Sequence, residues 1–440
     1  MNKILKFIDD NILFGLSLFL LIFIPLYPKW PMFDVLPGYN VRVRLEDFLV
    51  LLAFLIWGIQ VLRKKINLKQ IPLLKPMLIY VAIGFLSTLS AIFITKTVTT
   101  ESYQILKLYL HFFRRIEYFS LFFIFFSALH KKEQIKTYLA ALITAVVGVT
   151  VYGFGQKYLY WPAYSTMNRE FSKGIVLYLT EHARVLSTFG GHYDLAAYIM
   201  LVLTILIPLA FVIKNKLISI GIILLSLAHY WLLILTASRT SFIAYIASIT
   251  VAFFFLGLKK NWWWASKRWF GVVFVSIAIM LTVGPLSERF AHLIKLQDLK
   301  SKLNSAISAP PVNGIPLDEN MTPEEQIKIV ATESDIPPTP VKPQKPQKER
   351  PDDVYVEPYA EEATASGKTE IKVSYSENAM KYGLSSGIRL DVLWPQAFAA
   401  FKQNPLLGTG YSTLVKTKVW EQTPAESTDN DYLRLLGETG

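Results

Sequence analysis

The 440-residue chain contains no cysteine, and only 18% of its residues are charged. The missing cysteine excludes disulfide bonds and thiol chemistry, and it says little about the compartment. The shortage of charge excludes an ordinary soluble domain of this size, because 52% of the residues are hydrophobic and they occur in long blocks. Segments of alternating polarity, which a membrane barrel requires, are also absent. Apolar blocks of about 20 residues therefore predict membrane-spanning helices.

Nine apolar blocks predict the fold class, an all-α integral membrane protein built as a multi-span helical bundle. No small-residue cleavage site follows the first block, so this block is predicted to stay in place as a span. The chain stops where a further span would begin, and we expect more spans beyond Gly440. The predicted spans lie at roughly 11–28, 45–62, 77–95, 109–129, 137–155, 193–213, 217–236, 240–257 and 270–287.

Lysine and arginine are unevenly shared between the two sets of connecting segments. With the N-terminus in the cytoplasm, the inner segments hold more of them than the outer loops do. The positive-inside rule then predicts a multi-pass protein of the plasma (inner) membrane, with a large extracytoplasmic loop after residue 288. The net charge of +12 is accounted for by these short segments, so it does not indicate nucleic-acid binding.

The composition changes twice after the last span, which predicts three regions. Residues 1–288 form the transmembrane domain. Residues 289–384 contain the proline-rich stretch PPTPVKPQKPQKERP, which predicts an extended, disordered linker on the extracytoplasmic side. Helical periodicity returns in residues 385–440, where SGIRLDVLWPQAFAAFKQ predicts a helix interrupted or bounded at Pro395. The following NPLLGTGYST predicts a turn whose glycines permit unusual backbone angles.

The stretch LTASRTSFIAYI holds an arginine between two apolar blocks. Arg239 lies between Ser238 and Thr240 in a short outer loop that joins the seventh and eighth spans. Its planar fork of donors, with hydroxyl groups on both sides, suits the oxygens of a phosphate. An arginine that merely reaches for lipid phosphates at the interface is the alternative, and the sequence does not decide between the two.

Other candidates lie on the same predicted side. Arg184, in EHARVLSTFGGHYD, and Arg389, in SGIRLDVLW, could gather with the first arginine around one anionic group. Taken singly, each is equally typical of a solvated or ion-paired residue. His192 is a candidate base, although a structural role is more common for such a histidine. No metal-ligand spacing occurs among the six histidines, so no metal site is predicted.

Two further acidic residues have open roles. Glu117 follows a pair of arginines in HFFRRIEYF, near the start of the fourth span. A carboxylate inside a membrane indicates function, whereas an Arg–Glu pair within one helix is the simpler alternative. Asp194, just after His192, is predicted to cap the sixth span.

Several segments together resemble the O-antigen ligase / O-antigen polymerase superfamily. In chain order they are LTASRTSFIAYI; Arg389 and the LW dipeptide at 393–394, which precede AFAAFKQNPLLGTGYST; and DNDYLRLLGETG. The early segment VRVRLEDFLVLLAFLIW also resembles the family's second span. The resemblance covers most of the chain outside the proline-rich stretch. It implies a membrane glycosyltransferase of surface polysaccharide synthesis that uses a polyprenyl-diphosphate-linked glycan donor at the outer face. The implied acceptor is a glycan, lipid or protein, and no metal or other cofactor is implied.

The resemblance also implies roles for individual residues. It assigns Arg239 to the donor diphosphate as a catalytic anchor, with Arg184 and Arg389 as looser matches. Ligases usually carry His-Asn in the last motif, whereas this chain has Asp429 and Asn430 there. The difference favours a polymerase or another glycan transferase over a lipid A-core ligase. Asp429 is the predicted general base, and it or its neighbour could instead cap the last helix. The predicted substrate-binding residues are Arg184, His192, Ser238, Arg239, Thr240 and Arg389.

Two other functional classes remain as alternatives. A multispan transporter of a small anion or solute would need charges at mid-bilayer and broken helices in paired halves. The candidate charges gather instead at the predicted outer rim, and the sequence shows no paired halves. A scaffold that binds through the proline-rich arm would lose its function with that arm, whereas an enzyme would keep its activity.

Overall fold

The computed structural model describes residues 3–35, 42–167, 171–180, 183–282, 389–414 and 430–440. Its described part is a bundle of long helices that correspond one by one to the nine predicted spans. The helices are α1 (Lys3–Leu26), α2 (Leu45–Leu62), α3 (Leu74–Phe93), α4 (Ser102–Ala128), α5 (Gln134–Tyr158), α6 (His192–Val212), α7 (Lys216–Leu235), α8 (Arg239–Lys259) and α9 (Trp262–Thr282). A short antiparallel hairpin of β1 (Pro31–Asp34) and β2 (Arg42–Arg44) joins α1 to α2.

Eight of these helices are long and apolar enough to cross a membrane, which confirms the predicted multispan class. The exception is α4, although it is 27 residues long. Lys107, Arg114, Arg115 and Glu117 lie between its ends and lower its apolar character. Ionised residues inside a membrane helix are costly and usually mark a functional site, so α4 is a candidate for carrying one.

Contacts between helix ends show how the bundle alternates in direction. Arg63, at the end of α2, donates to Asp9 near the start of α1 at 2.7 Å, so these two helices are antiparallel. Trp57 of α2 donates to Ser127 of α4 at 3.0 Å, and the start of α2 also contacts α4, so these two are parallel. The hairpin, the α5–α6 loop and the starts of α2, α4, α6 and α8 therefore share one side of the bundle, here called the hairpin side.

The largest buried core lies between α6, α7 and α8. Leu195, Ile199 and Leu203 of α6 and Leu232 of α7 are fully buried, and they pack around the buried Tyr245 of α8. Large apolar side chains elsewhere on the bundle face outward, as expected where lipid rather than water covers the surface. The outward residues include Phe274, Leu224 and Leu201, which are 73%, 61% and 60% exposed.

Two short helices follow the membrane bundle in the described part of the chain. A five-residue π-helical turn, Arg389–Leu393, leads into α10 (Trp394–Gln403), so the predicted boundary at Pro395 is confirmed. The second is α11 (Asp431–Thr439). Asn430 is its N-cap, since its side chain accepts from the backbone N–H groups of residues 432 and 433 at 3.0 and 3.1 Å. Asp429, the other predicted cap, lies outside the described residues.

The NPLLGTGYST segment forms the predicted turn, and the turn holds α11 against α3. Gly408 and Gly410 have φ angles of +61° and +96°, which are unfavourable for residues with a side chain. The backbone N–H of Gly410 donates to the carbonyl of Glu438 at 2.9 Å. Ser87 of α3 donates to the same carbonyl at 2.7 Å. The turn, α11 and α3 are thus joined at one carbonyl group.

We expect Gly408→Ala to weaken the contact of the turn with α11 and α3. The added Cβ atom would overlap the backbone carbonyl group of Glu438, and alanine would be held at a positive φ. Strain of this kind costs roughly 1–3 kcal/mol, so the melting temperature of the protein in detergent should fall. Gly221→Ala is the matched control, because a Cβ atom there meets nothing within 4 Å. Equal melting temperatures for the two variants would contradict the expectation.

Candidate functional site

A cleft of about 290 Å³ opens where four segments meet on the hairpin side. The segments are β2, α4, the α5–α6 loop and α11. Among the described residues, the cleft brings together five arginines and one histidine, and no carboxylate of the described part of the chain lines it. The lining residues are Arg42, Arg44, Leu110, His111, Arg114, Arg115, Tyr118, Thr166, Ser172 and Arg434.

The local structure explains why these side chains converge. His111, Arg114, Arg115 and Tyr118 recur at the spacing of three and four residues that places side chains on one face of a helix. They give α4 a polar stripe inside an otherwise apolar segment. Arg42 and Arg44 are two residues apart in β2, so they point to the same face of the strand. The hairpin is therefore required to bring its two arginines to the stripe on α4.

Carboxylates lie behind four of the five arginines. In each of these four guanidinium groups, one nitrogen contacts a carboxylate outside the cleft, which leaves the other nitrogens available to a ligand in the cleft. Among the described residues, Arg115 has no such partner. The pairs are Arg42 Nε–Asp34 Oδ1 at 3.1 Å, Arg44 Nη1–Glu46 Oε1 at 3.3 Å, Arg114 Nη1–Asp47 Oδ1 at 2.6 Å and Glu117 Oε2 at 2.8 Å, and Arg434 Nε–Glu438 Oε1 at 3.2 Å.

Asp47 links the start of α2 to this arrangement. One of its oxygens accepts from the backbone N–H of Arg44 at 2.9 Å, and the other accepts from Arg114. The two contacts fix a strand residue and a helix residue to the same carboxylate. Because Asp47 lies in the first turn of α2, Arg114 is level with the start of that helix rather than with its middle. The arginine cleft is therefore at the rim of the bundle.

The structure brings two of the predicted site residues into contact. Arg184 Nη1 lies 2.6 Å from Nε2 of His192, the buried first residue of α6. The backbone N–H of Thr166, which lines the cleft, donates to the carbonyl of Gly190 at 2.7 Å. The Arg184–His192 pair therefore lies beside the cleft wall, but neither residue lines the cleft.

The predicted residues around Arg239 begin α8. Ser238 is the N-cap and accepts from the backbone N–H of Ser241, so its hydroxyl has a structural role. Arg239 is partly buried, and no hydrogen bond or ion pair joins it to a described residue. Thr240 is exposed. The backbone N–H of Val185 donates to Leu235 at the end of α7 at 3.2 Å, which puts this turn next to the Arg184 loop.

The remaining predictions have mixed outcomes. Arg389 is partly buried at the start of the π-helical turn, and Asp429 lies outside the described residues. A common anion site for Arg184, Arg239 and Arg389 therefore stays a prediction. The prediction that Asp194 caps α6 is wrong, because Gly191 is the N-cap and no side chain caps it. Asp194 lies in the first turn, where a negative charge still suits the helix dipole.

Most of the residues in the cleft were not predicted from the sequence. For Glu117 the sequence left two roles open, a functional carboxylate and the partner of a neighbouring arginine. The carboxylate of Glu117 does pair with Arg114 at 2.8 Å, behind the cleft. The spacing of polar residues in α4 was the available signal. The position of Arg434 in the cleft had no such signal, because it depends on how the glycine turn folds.

Comparison with known proteins adds one match. The family model described as O-antigen ligase matches residues 221–440, from within α7 to the last residue. Arg239, Arg389, Asp429 and Arg434 are inside the matched region, whereas the cleft residues of β2 and α4 precede it. No curated protein and no solved structure matches the chain.

Proposed function

Because the chain belongs to the O-antigen ligase family, we propose that it transfers or polymerises glycan from a polyprenyl-diphosphate carrier at the arginine cleft. Membership of the family makes the protein a multipass membrane protein with an O-antigen ligase-type role in glycan processing. We place the cleft at the outer face of the plasma membrane, which is the orientation that the positive-inside rule gives.

The observation that carries the proposal is the convergence of five guanidinium groups on a cleft with no carboxylate among its described lining residues. A diphosphate is the anionic part of the proposed donor, and arginine forks match its oxygens. The carboxylates behind the arginines hold them in position before the substrate arrives. Groups that are pre-oriented toward developing charge supply the largest part of many enzymes' rate enhancement.

The proposed reaction is a displacement at the anomeric carbon of the donor sugar. An acceptor hydroxyl oxygen forms the new bond to this carbon, and the bond to the diphosphate oxygen breaks with inversion of configuration. The lipid diphosphate leaves with the electron pair, and the arginines stabilise its charge. The hydroxyl proton passes to a base, for which we propose Asp429. Arg239, with Arg184 and Arg389 as helpers, is proposed to bind the same diphosphate from the α8 side, and the remaining predicted substrate-binding residues are proposed to complete this contact.

The best test gives the purified protein, in lipid nanodiscs, a polyprenyl-diphosphate glycan and follows the products by mass. Growth in whole repeat units would identify a polymerase, which the Asp429–Asn430 pair favours. Single transfer to a lipid or protein acceptor would identify a ligase. An unchanged donor would contradict the proposed function.

In the same assay Asp429→Asn should be inactive, because it removes the proposed base, whereas Asp431→Asn should be active. Equal rates for the two variants would exclude Asp429 as the base.

The transporter alternative has one observation in its favour, the ionised residues of α4. Their contact with the first turn of α2, however, places them at the rim of the bundle. A transport site would be expected near the bilayer midplane. The rim position is the one that the head group of a lipid-linked substrate requires, so it favours the transferase.

A further inference from the structure

Glu438 connects α11 to the glycine turn and to α3. It is 1% exposed. Its backbone carbonyl accepts from the Gly410 N–H and from Ser87 Oγ, at 2.9 and 2.7 Å. Its carboxylate accepts from the backbone N–H of Ser412 at 2.9 Å. The backbone and the side chain of Glu438 are thus fixed independently, before any substrate binds.

The same carboxylate holds one arginine of the cleft. Arg434 is one helical turn earlier, and its Nε lies 3.2 Å from both carboxylate oxygens of Glu438. This contact uses only Nε. The two Nη groups have no partner among the described residues, and Arg434 lines the cleft. Glu438 therefore occupies the inner edge of the guanidinium group and leaves its outer edge for an anion.

Burial raises the pKa of the Glu438 carboxyl, and the charge of Arg434 opposes this rise. Even a paired buried carboxylate adds little net stability, because desolvation offsets the attraction. A well-packed apolar residue would often stabilise the fold as well. The arrangement has a clearer use at a binding site. A free arginine has many rotamers, and a partner that holds it in one of them removes the entropy loss from the binding step.

We propose that Glu438 is a positioning residue for the transfer reaction, which acts on the substrate only by holding Arg434 toward the cleft. This inference rests on the proposed function. It assigns the carboxylate no contact with substrate and no proton transfer. Its role is to present the outer edge of Arg434 to the anionic part of the lipid-linked donor.

The test is a double-mutant cycle on the full-length protein in nanodiscs, with kcat and KM measured for the polyprenyl-diphosphate glycan. Glu438→Gln keeps an acceptor for the Ser412 N–H and removes the charge. We expect it to raise the donor KM about tenfold, with a smaller loss of kcat. Arg434→Gln should have at least this effect, and the double variant should be no worse than Arg434→Gln alone. Losses that multiply would overturn the inference, and so would wild-type kinetics for Glu438→Gln.

Ser87→Ala separates positioning from folding. It removes a hydrogen bond to the backbone of Glu438 and leaves the carboxylate in place. It should lower the melting temperature and leave the donor KM unchanged. A raised KM would show that any loosening of the contacts between α11, the glycine turn and α3 is sufficient, and it would overturn the inference.

Glu438→Asp replaces Glu438→Gln in the cycle if the latter does not accumulate in membranes. Aspartate keeps the charge but is too short to hold Arg434 in the same way, so the same kinetic result is expected. A wild-type protein that leaves the donor intact would contradict the proposed function itself.

Discussion

Replacement of Arg115 by alanine should lower the rate of glycan transfer by about 10²–10³-fold, the usual loss when one donor to a developing oxyanion is removed. Arg115 is the cleft arginine without a carboxylate partner among the described residues, so its charge is the least compensated. Its removal also strands no carboxylate, and the fold should be unaffected. The measurement is the initial rate of product formation with purified protein at saturating acceptor.

Arg63→Ala is the matched control for Arg115→Ala. Unlike Arg115, Arg63 makes an ion pair, with Asp9, and its side chain is 46% exposed at the opposite side of the bundle. Exposed pairs contribute little to stability, so this variant should transfer glycan at the wild-type rate. A fully active Arg115→Ala protein would show that the cleft does not stabilise the leaving diphosphate.

Arg239→Ala should also abolish transfer, and Arg239→Lys should largely do so, because lysine lacks the planar fork. Arg239 makes no hydrogen bond or ion pair with the described residues, and the N-cap of α8 is supplied by Ser238. The variants should therefore keep the melting temperature of the wild type, so a loss of rate would reflect a lost contact with the substrate. Lys259→Ala, at the other end of α8, is the control and should stay active.

The outcome for Arg239 distinguishes two donor sites. If both Arg239→Ala and Arg115→Ala are inactive and equally stable, the diphosphate contacts the α8 turn as well as the cleft. Full activity in Arg239→Ala would leave this arginine as an interfacial residue that contacts lipid phosphates. The cleft would then be the donor site without it.

The membrane fold is readable from the sequence because its cause is local. A block of about 20 apolar residues satisfies both the length and the solvent requirement of a span, whatever its neighbours are. Pro395 and the glycines at 408 and 410 are equally local, because each restricts or frees the backbone at its own position. The capping residue of α6 was missed for a related reason. An acid in the first turn fits the helix dipole without being the cap.

The site is less readable because its cause is not local. Arg434 enters the cleft only after α11 has docked on the glycine turn and on α3, and Ser87, which anchors that docking, lies 351 residues away from Glu438. The hairpin arginines likewise reach α4 through the fold of the α1–α2 connection. Local sequence features therefore favour arginines next to span boundaries. The stripe on α4 was not predicted, although its helical spacing is visible in the sequence.

The ion pairs of α4 also bear on how the chain is made. A segment with Arg114, Arg115 and Glu117 between its ends partitions poorly into hydrocarbon by itself, since each ionised group carries a large transfer cost. Asp47 removes part of that cost, but it belongs to α2, which emerges from the ribosome earlier. We therefore expect α2 to remain near the insertion machinery until α4 arrives, so that the two helices enter the bilayer as a neutralised unit rather than one after the other.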